Sequence, residues 1–125
     1  MADNGYLPDR KIAQAFDLKA NNERFIVCLN HWKAKDNSYN KPDEYADTGD
    51  GQGSHVLRRV HEAEATLEFI KTVTAYFEDE DVLVVGDLNS YSKEDPIRVL
   101  EEGKLINELQ KYAPNEYSYA FFSNN

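Results

Sequence analysis

The chain has 125 residues, of which 41% are apolar and 30% charged, and this length and composition fit one globular domain with a single core. Its 23 acidic and 14 basic residues give a net charge of -9, which argues against binding nucleic acid through a broad basic surface. No apolar run approaches the roughly 18 residues of a membrane-spanning helix, and we expect no secretory signal in the polar opening residues. A single cysteine, Cys28, excludes an internal disulfide.

A β-hairpin is predicted near the start of the chain. Apolar and polar side chains alternate over residues 11–19, with Ile12 and Phe16 on the apolar side, as is typical of a half-buried strand. The two asparagines at 21–22 suit a tight turn, because asparagine tolerates positive φ. Residues 24–32 are apolar on both faces, which predicts a strand covered on both sides.

A long polar stretch follows at 33–53. Loops beyond about 12–15 residues are uncommon in compact domains and are usually functional or disordered. Both alternatives stay open from the sequence, and we expect residues 36–52 to be mobile.

Residues 54–78 are predicted to form the main helix, because apolar side chains recur at intervals of three and four. Ser54 follows Gly53 and is the candidate N-cap. The acidic run EDED at 78–81 would lie at the negative end of the helix dipole, so the helix should end near it. The predicted apolar stripe consists of Val56, Val60, Ala63, Leu67, Ile70, Thr74 and Phe77.

A second buried strand is predicted at 82–86, where VLVVG is apolar on both faces, as expected of a central parallel strand. The order strand, helix, strand predicts a right-handed crossover.

The last part of the chain predicts a short helix and a final strand. Over 95–103, Asp95 is a candidate cap, Pro96 suits the first helical position and Gly103 falls just past the end. The run YSYAFF at 117–122 favours a strand. The sequence therefore predicts an α/β unit made of a hairpin, a long helix, a parallel strand, a short helix and a final strand.

Polar side chains follow both central strands. Asp87 directly follows the second one, and Asn89 lies two residues further, on the same side of an extended chain. Ligands of open α/β sheets bind at the carboxyl ends of parallel strands, and a carboxylate there suits Mg²⁺. His31 ends the other strand and could transfer a proton near neutral pH. The alternatives are a capped turn at Asp87 and Asn89 and a histidine satisfied by a backbone group.

Basic residues lie near these positions. Lys33 leaves the first central strand and could pair with phosphate, although such lysines are more often only solvated. Arg58 and Arg59 begin the helix, where a cation opposes the dipole, so a nearby anion is a hypothesis. The run DTGDGQG at 47–53 lacks the ligand spacing of an EF-hand calcium loop.

Taken in order, the segments LNHWKAK, GDGQG, RRVHEAEATL and VLVVGDLNSYSKEDPI resemble the endonuclease/exonuclease/phosphatase superfamily, and in particular its bacterial extracellular nucleases. Those nucleases carry N-H-F-K-x-K, G-D-G-Q-G, R-V-x-Q-A and G-D-L-N-A-Y-x-x-E-D-P-I. The resemblance covers roughly residues 10 to 122 in both order and spacing. Trp32, Glu62 and Ser90 depart from it, since the family usually has Phe, Gln and Ala there.

The resemblance implies a metal-dependent phosphoesterase on a four-layer α/β sandwich, with Mg²⁺ as cofactor or Mn²⁺ or Ca²⁺ in its place. It implies that His31, Asp87 and Asn89 are catalytic and that Asp87 also binds the metal. Lys33 and Arg59 are the candidates for substrate binding. The substrate would be a phosphate ester, and nucleic acid if the parent protein is a nuclease.

The resemblance also implies that residues 1–125 are the later part of a longer domain, because the family's early asparagine and glutamate and its closing aspartate-histidine motif have no counterpart here. We therefore expect the isolated chain to be inactive. Two alternatives remain: a phosphatase or phospholipase of the same superfamily, which the charge of -9 mildly favours, and a non-catalytic interaction domain that keeps the fold. By resemblance the parent would be secreted or periplasmic; neither location nor oligomeric state follows from the residues.

Overall fold

A computed structural model describes residues 11–36 and 43–120. This part of the chain is a mixed α/β unit with one three-stranded sheet and helices packed against it. Its elements, in chain order, are β1 (Lys11–Asp17), β2 (Arg24–His31), a short 3-10 helix (Asp43–Tyr45), α1 (Val56–Phe77), β3 (Val82–Asp87), α2 (Asp95–Glu102) and α3 (Glu108–Tyr112).

The sheet has the strand order β1-β2-β3, which confirms the predicted hairpin and the predicted parallel strand. β1 pairs with β2 in antiparallel register around a turn that contains Asn22 at φ 61°. β2 and β3 are parallel, and α1 connects them. Their register pairs His31 with Asp87, the last residues of the two strands. The carboxyl ends of both strands therefore meet at one edge of the sheet.

The core lies between one face of the sheet and α1. From β2, Ile26 and Cys28 turn toward the helix and are fully buried against a group that includes Val73. Trp32 continues this face beyond the strand end and packs with Ala63 of α1 and with the buried side chains of α2. Complete burial of a side chain such as Ile26 contributes about 2 to 3 kcal/mol, so this face holds the unit together.

The opposite face of the sheet is open among the described residues. Ile12 is 63% exposed, and Leu29 and Leu83 are each 48% exposed. Three expectations from the sequence are thus wrong here. The apolar side of β1 faces solvent, β2 is covered on one face only, and β3 is an edge strand of the described sheet with one exposed face instead of a buried central strand. The small Ala13 and Ala15 pack toward α1 instead. Alternation defines two faces of a strand but does not tell which one the helix covers.

Helix α1 differs from its prediction at the start. The residue before the helix is His55, in a left-handed conformation at φ 63°, and not Ser54. Ser54 is buried, and its carbonyl accepts a hydrogen bond from Arg59. The helix ends at Phe77, next to the acidic run as expected, and Glu78 closes it with its N–H donated to the Thr74 carbonyl.

The face that α1 buries is more polar than the predicted stripe. Ala63 is buried and Leu67, Ile70 and Phe77 pack against the core, in agreement with the prediction. However, three of the five buried residues of the helix are polar and were missed. These are Arg59, Glu62 and Thr66.

Helix α2 begins with Pro96 in its first turn and is closed by Gly103, as predicted, but its N-cap is Glu94 and not Asp95. A Cβ on Gly103 would lie 2.4 Å from Leu67 Cδ2, so packing on α1 explains this glycine. The predicted final strand is absent over residues 117–120, and its last two positions lie outside the described residues.

Helix α3 was not predicted, and its first turn is capped by the Asn107 side chain. Within residues 11–36 and 43–120, the structure contains no helix that is both long enough and apolar enough to cross a membrane.

Candidate functional site

His31 and Asp87 face each other across the ends of β2 and β3. His31 Nε2 lies 3.8 Å from Asp87 Oδ2, and both side chains are 67% exposed. This separation is too long for a hydrogen bond but is an ion-pair contact when the imidazole is protonated. Because both groups are largely in water, the pair contributes little to stability. The side chains are therefore available to a ligand.

Asn89 lies beside this pair and makes two hydrogen bonds, one of them to Asp87. Its backbone N–H donates to Asp87 Oδ1 at 3.0 Å, and its side-chain Nδ2 donates to the Trp32 carbonyl at 2.9 Å. Its φ of 47° is left-handed, which asparagine tolerates better than most residues. The three catalytic candidates thus lie together at one edge of the sheet.

Gly86 allows β3 to approach β2 closely beside the site. Its φ is 121°, and a Cβ at this position would lie only 2.0 Å from the Asn30 carbonyl oxygen. No residue with a side chain fits there without a shift of one strand. The glycine before Asp87 is therefore a requirement of the strand geometry.

The two substrate-binding candidates are both engaged within the chain. Lys33 forms an ion pair with Asp36. Arg59 is fully buried, and its guanidinium donates to the carbonyls of Gln52 and Ser54, each at 2.8 Å, and of Lys33 at 3.3 Å. The structure does not bring Arg59 to the exposed pair of His31 and Asp87.

Burial lowers the pKa of Arg59, and the negative charges of Glu94 and Glu62 oppose this effect. Glu62 and Glu94 are therefore the nearby acids that we hypothesised for the arginines at the helix start. Arg59 is also bound by three backbone carbonyls. The contacts of Arg59 make it an anchor for the preceding loop.

The loop before α1 is tied down by glycine turns and by the side chain of Gln52. Gly49, Gly51 and Gly53 all have positive φ, and the Asp50 carboxylate accepts the Gln52 N–H. Gln52 Nε2 donates to Asp95 Oδ2 at 2.9 Å, while Gln52 Oε1 accepts the Asp95 N–H at 2.8 Å.

These bonds join the loop to the start of α2. Of the stretch 36–52 that we expected to be mobile, residues 37–42 lie outside the described residues, whereas residues 47–52 carry this set of hydrogen bonds. Sequence reasoning missed Gln52, although its position between two glycines that need positive φ was an available signal.

The donor set at the strand ends fits a divalent cation in part. Across residues 11–36 and 43–120, no three His, Cys, Asp or Glu side chains are grouped so that they could hold a metal ion. Asp87 offers one carboxylate, and Mg²⁺ is commonly held by one or two carboxylates together with phosphate oxygens and water. Asp87 could therefore be one ligand of such an ion.

The chain matches no protein-family model, no curated protein and no solved structure. The family resemblance therefore rests on the sequence motifs alone, and any proposal of function rests on those motifs and on the geometry of the site.

Proposed function

We propose that this chain supplies the histidine, acid and amide of a metal-dependent phosphoesterase site, and that the parent protein is a nuclease cleaving phosphodiester bonds. The observation that carries the proposal is the arrangement of His31, Asp87 and Asn89 at adjacent carboxyl ends of parallel strands. This edge is where open α/β sheets bind their ligands.

Each side chain has a chemical role that its contacts allow. His31 is exposed and can donate a proton or a hydrogen bond to a phosphate oxygen. Asp87 can hold a divalent cation and orient an attacking water. Asn89 uses one amide hydrogen on Trp32, which leaves its second hydrogen and its Oδ1 for phosphate or water. A bound Mg²⁺ would offset the charge that develops on the phosphate.

We further propose that the three-stranded sheet and the helices on its covered face form two layers of a four-layer α/β sandwich. The support is the open face of the sheet, on which Ile12, Phe16, Leu29, Leu83 and Val85 are all at least 39% exposed. Neighbouring apolar side chains on one exposed face are unusual for a monomer and mark an interaction surface.

A second sheet on this face would bring further side chains beside Asp87, because Asp87 lies on the same face of β3 as Leu83 and Val85. In this proposal the additional sheet belongs to the longer domain that the resemblance implies. The proposal thus accounts for both the open face and the incomplete set of metal donors.

Two other functions have specific support. The charge of -9 favours a small phosphate ester or a lipid headgroup over nucleic acid, which keeps a phosphatase or phospholipase as an alternative. The open apolar face equally suits a non-catalytic interaction domain. Cation binding at Asp87 separates the phosphoesterases from the interaction domain.

The experiment is a titration of the chain with Mn²⁺, followed through the paramagnetic broadening of amide signals. We expect the amides of His31, Asp87 and Asn89 to broaden first, at a metal concentration on the order of 1 mM because one carboxylate binds weakly. Asp87→Asn should abolish this selectivity. Asp50→Asn, which alters an exposed carboxylate in the loop, should leave it intact.

Broadening that is equally strong at all acidic residues, or that persists in Asp87→Asn, would rule out a cation site at the strand ends. The interaction-domain alternative would then be the better account.

A further inference from the structure

One peptide group links helix α1 to the candidate site. The N–H of Lys33 donates to Glu62 Oε2 at 2.8 Å. The carbonyl of Trp32, at the other end of the same planar unit, accepts from Asn89 Nδ2 at 2.9 Å. Glu62 and Asn89 thus bind opposite ends of a single peptide group.

Glu62 is well placed to fix that group. Its side chain is 6% exposed, and the guanidinium Nε of Arg58 lies 3.7 Å from its other carboxylate oxygen. It lies on a 22-residue helix that packs along the sheet, so the position of its backbone is fixed by that packing. An ionised acceptor makes a stronger hydrogen bond than a neutral one, and it polarises the peptide so that the Trp32 carbonyl becomes a better acceptor.

Two hydrogen bonds hold Asn89 in its left-handed conformation, which asparagine tolerates better than most residues. Its N–H donates to Asp87 Oδ1, and its Nδ2 donates to the Trp32 carbonyl. The bond to Trp32 also fixes the plane of the side-chain amide, and with it the direction of the free amide hydrogen and of Oδ1.

We propose that Glu62 is a positioning residue that orients the Asn89 amide through the Trp32–Lys33 peptide group. The catalytic importance of this positioning rests on the proposed function. The coupling between the Glu62 and Asn89 side chains can be measured in a protein that has no enzymatic activity. The usual residue at this position in the resembling nucleases is glutamine, which retains a side-chain oxygen acceptor.

The experiment follows two NMR signals in the whole chain: the side-chain amide of Asn89, identified by its loss in Asn89→Asp, and the hydrogen exchange of the Lys33 N–H. Glu62→Asp keeps the charge but is one methylene too short. We expect it to move the Asn89 amide signal toward that of a solvated asparagine and to speed Lys33 exchange at least about tenfold, which corresponds to ~1.4 kcal/mol. Glu62→Gln keeps the length and an oxygen acceptor but loses the charge, so it should change both readouts less than Glu62→Asp does.

The matched control is Val73→Ala, a truncation of another buried residue on α1. It should lower the melting temperature without moving the Asn89 signal. The inference is overturned if Glu62→Asp moves that signal no further than Val73→Ala does, or if Glu62→Gln moves it as far as Glu62→Asp.

The reciprocal variant does not depend on a change inside the core. Asn89→Asp keeps a residue that tolerates left-handed φ but replaces the donor by an oxygen. Because coupling is mutual, it should speed exchange of the Lys33 N–H, whereas Ser92→Ala should not. Equal exchange rates in these two variants would refute the coupling, even if Glu62→Asp fails to fold.

The failure of the proposed function would look different. In that case the coupling would be observed, but Asn89→Asp would leave turnover of the active parent protein unchanged.

Discussion

The two faces of the sheet differ sharply although the same three strands form both. On the α1 side, Ile26 and Cys28 are at most 1% exposed and lie in a continuous core. On the other side, Leu29 and Leu83 retain nearly half of their surface in contact with solvent. Both faces are apolar, but a covering element lies on only one of them among the described residues.

The stability of the unit and its candidate chemistry lie on different faces of the sheet. The covered face carries the packing, since burial of apolar surface is the main favourable term in folding. By strand alternation, His31 and Asp87 belong to the open face, at its carboxyl edge. The candidate chemistry thus lies on the side of the sheet that contributes least to the core.

The largest expected effect comes from truncating neighbouring residues of β2 on opposite faces. Ile26→Ala removes a fully buried side chain and leaves a cavity, so it should lower the free energy of unfolding by about 3 to 4 kcal/mol. Leu29→Ala should cost less than about 1 kcal/mol, since Leu29 is half in solvent. Urea denaturation of the two variants measures both values. Equal costs would mean that the open face is covered in solution.

A smaller effect is expected at Gly86, where the strands converge beside the site. Gly86→Ala combines strain at φ 121° with a clash against the Asn30 carbonyl, and should lower stability by about 2 to 3 kcal/mol. Gly51→Ala is the matched control, because Gly51 also has positive φ but nothing lies within 4 Å of its added Cβ. The control should cost about 1 kcal/mol. If both variants lose the same stability, strand contact at Gly86 plays no part.

The elements that depend on local apolar spacing could be predicted from the sequence, whereas the packing of the helix on the sheet could not. Periodicity correctly predicted the hairpin, α1, β3 and α2, since these follow from local apolar spacing and from Pro96 and Gly103. Alternation could not say that α1 covers the alanine side of β1, because this depends on how closely a helix approaches the sheet.

The site shows the same division. The strand-end positions of His31, Asp87 and Asn89 could be predicted from the order of the motifs, and the structure brings the three residues together. The burial of Arg59 and Glu62 could not be predicted from the sequence, because charged residues at the start of a helix are normally solvated. Both bind the backbone of Lys33, which donates its N–H to Glu62 and offers its carbonyl to Arg59 from 29 and 26 residues away, and such long-range contacts leave no periodic signal.

The smallest expected effect concerns thiol reactivity on β2. Burial raises the pKa of the Cys28 thiol, so less thiolate is present near pH 8 than for a free cysteine. We expect Cys28 in the folded chain to react with a thiol reagent at least about tenfold more slowly than the introduced thiol of Leu29→Cys on the open face. The rates are read from absorbance at pH 8. A fast reaction of Cys28 itself would show that the α1 face opens readily.

We propose that the open-face edge of β2 and β3 performs phosphate chemistry, which is tested most directly by the turnover of the proposed longer protein on its best phosphodiester with Mg²⁺. Asp87→Asn keeps the shape of the side chain but removes its charge. We expect a loss of about 10² to 10³ in rate, or ~3 to 4 kcal/mol, with little change in melting temperature. Ser92→Ala, in the same loop, should change the rate far less. Near-normal turnover of Asp87→Asn would contradict the account and leave Asp87 as a residue of the turn after β3.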